Sequence, residues 1–244
     1  MNNSDMEYYP SFELYDLEDK YPGMEDLLNH VLYDYRFYDE NDPMAKPGFI
    51  RELPAAEWLS YPWQLVRIFM HFYPIYVLPT TELLDKLDEL IGDYKTIEIG
   101  AGSGNIGRHL DIKMTDSYQQ TLDRETQMVY KIMKQPTMHY PSSVFHADAL
   151  TAVRRLRPEC VIGCYVTHKF RDGMQEGNSK GVDFPRLLQS VKRLILVGNK
   201  HIHSANPIMA LPHEEIYVEG LITRNEDRSA DRIFVWDTDK LMNL

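Results

Sequence analysis

The sequence predicts an α/β protein in which a mostly parallel sheet with an antiparallel edge hairpin carries an N-terminal helical extension. Three observations predict this fold. Apolar residues recur at helical spacing up to residue 93, and from residue 94 short apolar runs alternate with helical stretches. A glycine-rich loop follows the first of those runs and precedes a helix. The 244 residues suffice for one large domain with an appended segment.

We expect three parts along the chain: an acidic, aromatic-rich arm over residues 1–62, a helical segment over 63–93 that packs on the core, and the α/β domain over 94–244. Residues 1–50 hold twelve acidic and three basic residues, a net charge of −9, and ten of the 28 aromatic residues. Disordered segments usually lack such rings. The arm is therefore expected either to pack on the body with its acids solvated or to bind a basic protein partner.

Apolar spacing predicts helices in the extension over 24–37, 63–73 and 82–91, with a proline-rich connector over 41–62. Thr80 or Thr81 can cap the third helix, and Gly92 can end it. The predicted strands of the domain are 96–99, 112–115, 143–146, 160–166, 194–197, 215–223 and 232–236, and its predicted helices are 106–110, 123–134, 150–156 and 184–192. The last two strands, joined by a turn, form the edge hairpin.

Charge and hydropathy exclude several classes of protein. Of the net charge of −11, only −2 belongs to residues 51–244, and no basic stripe suited to a phosphate backbone is visible. Nucleic acid is thus disfavoured as a substrate. The sequence has no apolar run of about 20 residues that could span a membrane, so we expect a cytoplasmic protein. Cys160 and Cys164, four apart in one predicted strand, are expected to be free thiols.

The glycine loop is the most informative motif. A strand ending at Ile99 runs into Gly100, Gly102 and Gly104, and such a loop brings backbone N–H groups close to a ligand. The spacing Gly102-x-Gly104-x-x-Gly107 fits a dinucleotide fingerprint, but its first glycine does not follow the strand directly. Starting from Glu98, the same stretch reads Glu-x-Gly-x-Gly-x-Gly. This pattern resembles motif I of the class I S-adenosylmethionine-dependent methyltransferases.

The resemblance covers about residues 94–236 and implies a Rossmann-like methyltransferase sheet with S-adenosylmethionine as the cofactor. It implies that Gly100, Gly102 and Gly104 let the backbone reach the cofactor, and that Glu98 orders the loop or approaches the methionine amino group. Asp116 and Asp148, which end the second strand and follow the third, resemble the family's acids at the ribose hydroxyls and the adenine amino group. The neighbouring residues expected to contribute are Ala101, Ser117, Ala149 and Tyr165.

The substrate side carries no familiar signature. The fourth strand is followed by neither an Asn/Asp-Pro-Pro-aromatic motif nor a Pro-Cys nucleophile, which argues against amino methylation or C5 methylation of DNA bases. We take His168 and His201 as the leading candidates for a general base, with Thr167 as a further catalytic candidate. A metal site at His201-x-His203, with His213 or Glu214, is the weaker interpretation, and no metal is expected.

The sequence therefore predicts a methyltransferase that transfers a methyl group from S-adenosylmethionine to an oxygen or nitrogen of a small-molecule or protein substrate. Two alternatives stay open. The chain could be a non-catalytic protein that keeps this fold to bind the cofactor or a partner. It could also be a nicotinamide-dependent oxidoreductase that uses the register beginning at Gly102.

Overall fold

A computed structural model describes residues 18–33, 49–169 and 177–238. The greater part of the acidic arm, residues 1–17 and 34–48, lies outside the described residues. The prediction that the arm packs on the body or binds a basic partner concerns these residues and stays a prediction. Within the described ranges, no helix is both long and apolar enough to cross a membrane.

The helices of the extension include α1 (Met24–Val31), α2 (Ala55–Trp58), α3 (Trp63–Phe72) and α4 (Thr81–Ile91). Helix α1 ends earlier than its predicted bound of 37 because Leu32 leaves the helix and pairs with Ile50. Helix α2 lies within the predicted connector. Helix α4 begins as predicted, since the hydroxyl of Thr80 accepts a hydrogen bond from the Leu83 amide at 3.3 Å.

The α/β domain confirms the predicted Rossmann-like sheet, mostly parallel with an antiparallel edge. Its elements, in chain order, are β1 (Thr96–Ile99), α5 (Asn105–His109), β2 (Lys113–Asp116), α6 (Gln119–Leu122), α7 (Arg124–Ile132), β3 (Val144–His146), α8 (Ala149–Leu156), β4 (Cys160–Cys164), α9 (Phe184–Leu188), β5 (Arg193–Asn199), β6 (Glu214–Ile216) and β7 (Asp231–Asp237). Short 3₁₀ turns at Pro207–Ala210 and Arg228–Ala230 precede β6 and β7. The strand order is β3-β2-β1-β4-β5-β7-β6. Strands β1 to β5 pair in parallel, and β7 is antiparallel to both β5 and β6.

The predicted sixth strand, 215–223, is too long. Strand β6 ends at Ile216, because the chain that follows pairs with the extension instead of with β7. The Leu78 amide donates to the Ile222 carbonyl at 3.0 Å, and the Thr80 hydroxyl donates to the Gly220 carbonyl at 2.7 Å. These bonds tie the extension to the domain.

The apolar cores also join the two parts. The core of the extension is built around the fully buried Trp58 and Phe69, and it includes Ile222 from the domain. Helix α4 packs its leucines on one face of the sheet, against Ile162 and Ile195. A third cluster, with Phe184 and Trp236, covers the opposite face. The extension is thereby fixed beside the ends of the central strands, where the glycine loop lies.

Candidate functional site

The three glycines of the loop all have backbone conformations that side chains disfavour. Gly100, Gly102 and Gly104 have φ angles of 59°, 55° and 73°. A Cβ atom would lie 2.7 Å from Val166 at Gly100, 2.8 Å from Met138 at Gly102 and 2.8 Å from Met114 at Gly104. The φ angles therefore favour glycine at all three positions, and a Cβ atom at any of them would force a neighbouring side chain to shift. The result is a compact turn that exposes backbone between β1 and α5.

Glu98, near the end of β1, holds the loop through a hydrogen bond to α5. Its side chain is buried, and its carboxylate accepts a hydrogen bond of 2.8 Å from the amide of Gly107 in α5. Burial raises the pKa of Glu98 to about 8; the bond from Gly107 opposes the rise, and the charge of Asp116 adds to it. The loop-ordering role that the resemblance implies for Glu98 thus has a physical basis in this hydrogen bond.

Asp116 ends β2 and faces the loop. Its carboxylate accepts hydrogen bonds from the Gly102 amide at 3.0 Å and the Tyr118 amide at 2.9 Å, one on each oxygen. Burial raises the pKa of Asp116 above its ordinary value in spite of these bonds. The Tyr140 hydroxyl and the Ser117 amide also bond to this carboxylate, so Asp116 gathers several donors and a ligand hydroxyl would replace one of them.

Asp148 follows β3 and caps α8. One of its oxygens accepts a hydrogen bond of 3.0 Å from the Thr151 amide. Burial pushes the pKa of Asp148 upward, but the bonds from Thr151 and the charge of Arg154 outweigh it, so the pKa lies below its ordinary value. Asp148 is thus an ionised acceptor at the helix start.

A cavity of about 410 Å³ brings most of the predicted site together. Eight of the predicted residues lie on its wall: Gly100, Gly102, Asp116, Ser117, Asp148, Ala149, Tyr165 and Thr167. They come from the carboxyl ends of β1 to β4, the edge at which open α/β sheets bind ligands. The volume falls within the range of about 300–1,000 Å³ that is typical of small-molecule sites.

A smaller cavity of about 50 Å³ adjoins the first, and we call it the annex. Glu98 and Ala101 line the annex, together with Ser103 and Asn105 from the start of α5. Gly104 lies on neither wall and packs against Met114 instead. One water molecule needs about 10–15 Å³ of such volume, so the 50 Å³ of the annex correspond to about four non-hydrogen atoms.

Helices α6 and α7 form the roof of the cavity. Thr126 and Tyr130, four residues apart on α7, face the cavity, and neither helix has a buried residue. Polar contacts hold the roof down: Asp123 forms an ion pair with Lys180, and Gln119 lies 3.5 Å from Asn178. The sequence predicted a helix here but gave no sign that it covers the site.

Three tyrosines form an aromatic wall at one end of the cavity. Tyr76, from the extension, stacks on Tyr165 at 6.1 Å between ring centroids, and its hydroxyl lies 3.4 Å from that of Tyr130. The guanidinium of Arg224 lies 4.2 Å from the Tyr76 centroid, over the ring. Tyr76 and Tyr130 were not among the predicted site residues, because they meet only in the folded chain.

Tyr165 is held in a strained conformation. Its φ of 53° lies in the left-handed region, which costs a non-glycine residue about 1 kcal/mol or more. Its hydroxyl donates to the buried carboxylate of Asp231 at 2.9 Å and lies 3.1 Å from the hydroxyl of Thr223. These contacts offset the strain and hold the ring on the cavity wall.

The candidate bases lie elsewhere. His168 is 5% exposed, pairs through its backbone with Val182 and is not on the cavity wall, whereas Thr167 is. His201 is on a turn, with a side chain 76% exposed, 3.7 Å from Asp227. The predicted extended segment at this point is wrong: His203 is buried and bonds to Asn199, so it points away from His201. No group of three metal-binding side chains occurs in the described ranges.

Comparison with models of protein families finds no match, and comparison with curated proteins finds none either. Among solved structures, the chain is similar to Pyrococcus abyssi tRNA (uracil-54, C5)-methyltransferase in complex with S-adenosyl-L-homocysteine, with 14% identity and a TM-score of 0.32 over 63% of this chain and 36% of that one. It is also similar to the 16S rRNA methylase RmtB, with 15% identity and a TM-score of 0.33 over 88% and 98% of the two chains. The chain thus spans about a third of the length of the first of these proteins.

A third similar structure is that of a mutant of MtNAS, with 12% identity and a TM-score of 0.34 over 75% of this chain and 68% of that one. All three similarities are distant. The Rossmann-like α/β fold is evident from the chain's own sheet, with parallel central strands, a reversed β7 and the glycine loop after β1.

Proposed function

We propose that this chain is an S-adenosylmethionine-dependent methyltransferase that acts on an oxygen or nitrogen of a small-molecule or protein substrate. The observation that carries the proposal is the cavity of about 410 Å³ whose wall contains Gly100, Gly102, Asp116 and Asp148. Each of these residues was singled out from the sequence for a cofactor role, and one cavity unites them.

The adenosine part of the cofactor would lie in the large cavity. We assign Asp116 to the two ribose hydroxyls and the second oxygen of Asp148 to the adenine amino group. The backbone of Gly100 and Gly102 forms the floor between them, where a side chain would fill the space. The donors and acceptors of the wall thus suit a nucleoside.

The amino-acid end of the cofactor would lie in the annex. An amino-acid head group contains five non-hydrogen atoms. This number is similar to the capacity of the annex, which is about four such atoms. The carboxyl group of Glu98 is on its wall, and its oxygens can accept a bond from an ammonium group. The hydroxyl of Ser103 and the amide of Asn105 supply further polar partners.

When bound, S-adenosylmethionine supplies an activated methyl group. The chain's own residues bind and orient the reactants, since the roof and the loop 177–183 line the cavity beside the loop glycines Gly100 and Gly102. Thr167 is the catalytic candidate on the cavity wall, so we propose that it contacts the methyl acceptor. His168 and His201 keep their proposed role as base only if the acceptor brings one of them within reach.

The test is a calorimetric titration of S-adenosylmethionine and S-adenosylhomocysteine into the purified protein, with reduced nicotinamide dinucleotide as the control ligand. We expect binding of the first two ligands and none of the third. Binding of the nicotinamide alone would favour the oxidoreductase, and no binding at all would overturn the cofactor assignment.

Turnover separates an enzyme from a binding protein. With labelled cofactor and mixtures of small molecules and proteins as acceptors, we expect methyl transfer that Thr167→Val lowers while cofactor affinity is kept. His168→Ala and His201→Ala, assayed alongside, test the two proposed bases. Cofactor binding without transfer to any acceptor would favour the non-catalytic alternative.

A further inference from the structure

The large cavity and the annex share five wall residues: Tyr76, Gly100, Gly102, Met138 and Cys164. These residues mark the junction between the two spaces. Tyr76 is the aromatic residue among them, and it belongs to the extension, not to the α/β domain. A ligand that occupies both spaces must pass beside its side chain.

We propose that Tyr76 contacts the sulfonium centre of the bound cofactor and makes the protein prefer the charged S-adenosylmethionine to the neutral S-adenosylhomocysteine. The inference rests on the proposed function. In that cofactor the sulfur joins the nucleoside to the amino-acid part, so a molecule with one part in each space has its sulfur at the junction. The methyl group and its charge are then next to Tyr76.

The other junction residues offer a cation little. Gly100 and Gly102 have no side chain, and Met138 is a neutral thioether. Burial raises the pKa of the Cys164 thiol well above its usual value, so this group is neutral as well. An aromatic ring, by contrast, has a negative face that attracts cations. Tyr76 is therefore the junction side chain that can distinguish a sulfonium from a thioether.

The position of Tyr76 is fixed by its neighbours. Its carbonyl accepts a hydrogen bond of 2.9 Å from the Arg224 amide, and the next residue, Val77, pairs with Thr223. Arg224 lies over the ring, and Tyr165 stacks with it at 6.1 Å between ring centroids. Because a cation already lies over the Tyr76 ring, we expect an effect at the lower end of the range for such contacts, about two- to fivefold in affinity.

The experiment compares the dissociation constants of S-adenosylmethionine and S-adenosylhomocysteine by calorimetry in the full chain. Tyr76→Leu removes the ring, and we expect it to weaken binding of the charged ligand about two- to fivefold while binding of the neutral ligand is unchanged. Tyr76→Phe keeps the ring and should keep the preference. Arg224→Gln removes the competing cation and should strengthen the preference.

Met138→Leu serves as the matched control at the same junction, because it exchanges one uncharged side chain for another and should affect both ligands alike. An unchanged ratio of the two constants in Tyr76→Leu and Arg224→Gln would overturn the inference while leaving the proposed function intact. So would an equal loss of preference in Tyr76→Phe and Tyr76→Leu. If the wild-type protein binds neither ligand, the proposed function fails, and the inference fails with it.

Discussion

The amide of Gly102 donates a hydrogen bond of 3.0 Å to the carboxylate of Asp116, fourteen residues further along the chain. This bond joins the turn after β1 to the end of β2. It keeps the loop backbone and the acid side by side on one cavity wall. The geometry of the proposed cofactor site is thus set largely before any ligand arrives, which lowers the entropy lost on binding.

Replacement of Gly102 by alanine tests the loop. The methyl group would meet Met138 in a left-handed conformation, so we expect cofactor affinity to fall about tenfold or more. Gly92→Ala is the matched control: its φ of 51° is similar, but nothing lies within 4 Å of the added atom. That control should cost stability, about 1 kcal/mol, and leave affinity unchanged. Equal affinities of the two variants, measured by calorimetry, would contradict the role of the loop.

Two replacements of Asp148 separate its two roles. Serine can still cap α8, so Asp148→Ser should keep the melting temperature while losing the oxygen that we assign to the ligand. We expect about tenfold weaker cofactor binding. Asp148→Ala should weaken binding similarly and also lose about 1 kcal/mol of stability with the cap. Wild-type affinity in the serine variant would show that Asp148 serves the helix alone.

Glu98 should make the protein less stable as pH rises. Its pKa is about 8 in the folded chain, against an ordinary value of 4.5, so between those values the folded state binds more protons than the unfolded state. The free energy of unfolding therefore falls as pH rises through this window. Asp116, whose pKa is also raised by burial, adds a contribution of the same sign.

Glu98→Gln removes this titration, and its glutamine oxygen can still accept the Gly107 bond. Thermal unfolding followed from about pH 5 to pH 8 should therefore show a shallower decline in the variant than in the wild type. Glu89→Gln, at a side chain 66% exposed, is the control and should keep the wild-type slope. Parallel curves for wild type and Glu98→Gln would contradict the raised pKa.

The roof should open more readily when its ion pair is lost. Lys180→Met removes the contact with Asp123, while the cap that Asp123 provides to α7 remains. Because such partly exposed pairs contribute up to about 1 kcal/mol, we expect cofactor dissociation to become about two- to fivefold faster. Amide hydrogen exchange in α7 should rise with it. Lys192→Met, which removes the ion pair with Glu159 outside the cavity, should change neither quantity.

The sequence predicted those parts of the site that local chemistry determines. Gly100 directly follows β1, Gly102 lies two residues further on, and Asp116 ends β2, so periodicity and residue type suffice to find them. Tyr76 and Tyr130 meet across 54 residues of chain, and no local pattern encodes such a contact. The predicted sixth strand was too long because Val218, Leu221 and Ile222 are apolar residues that pack against the extension, and an apolar pattern alone does not distinguish this packing from a strand.

The pairing of Leu78 with Ile222 and of Thr80 with Gly220 has a consequence for dissecting this chain. A fragment that starts at residue 94 would retain every strand, yet its sheet would expose the apolar face that α4 covers, and its cavity would lack Tyr76. We expect such a fragment to aggregate, whereas a fragment that starts at residue 18 keeps both contacts. A shortened fragment for expression should accordingly start no later than residue 18, and a start between residues 62 and 94 should be avoided.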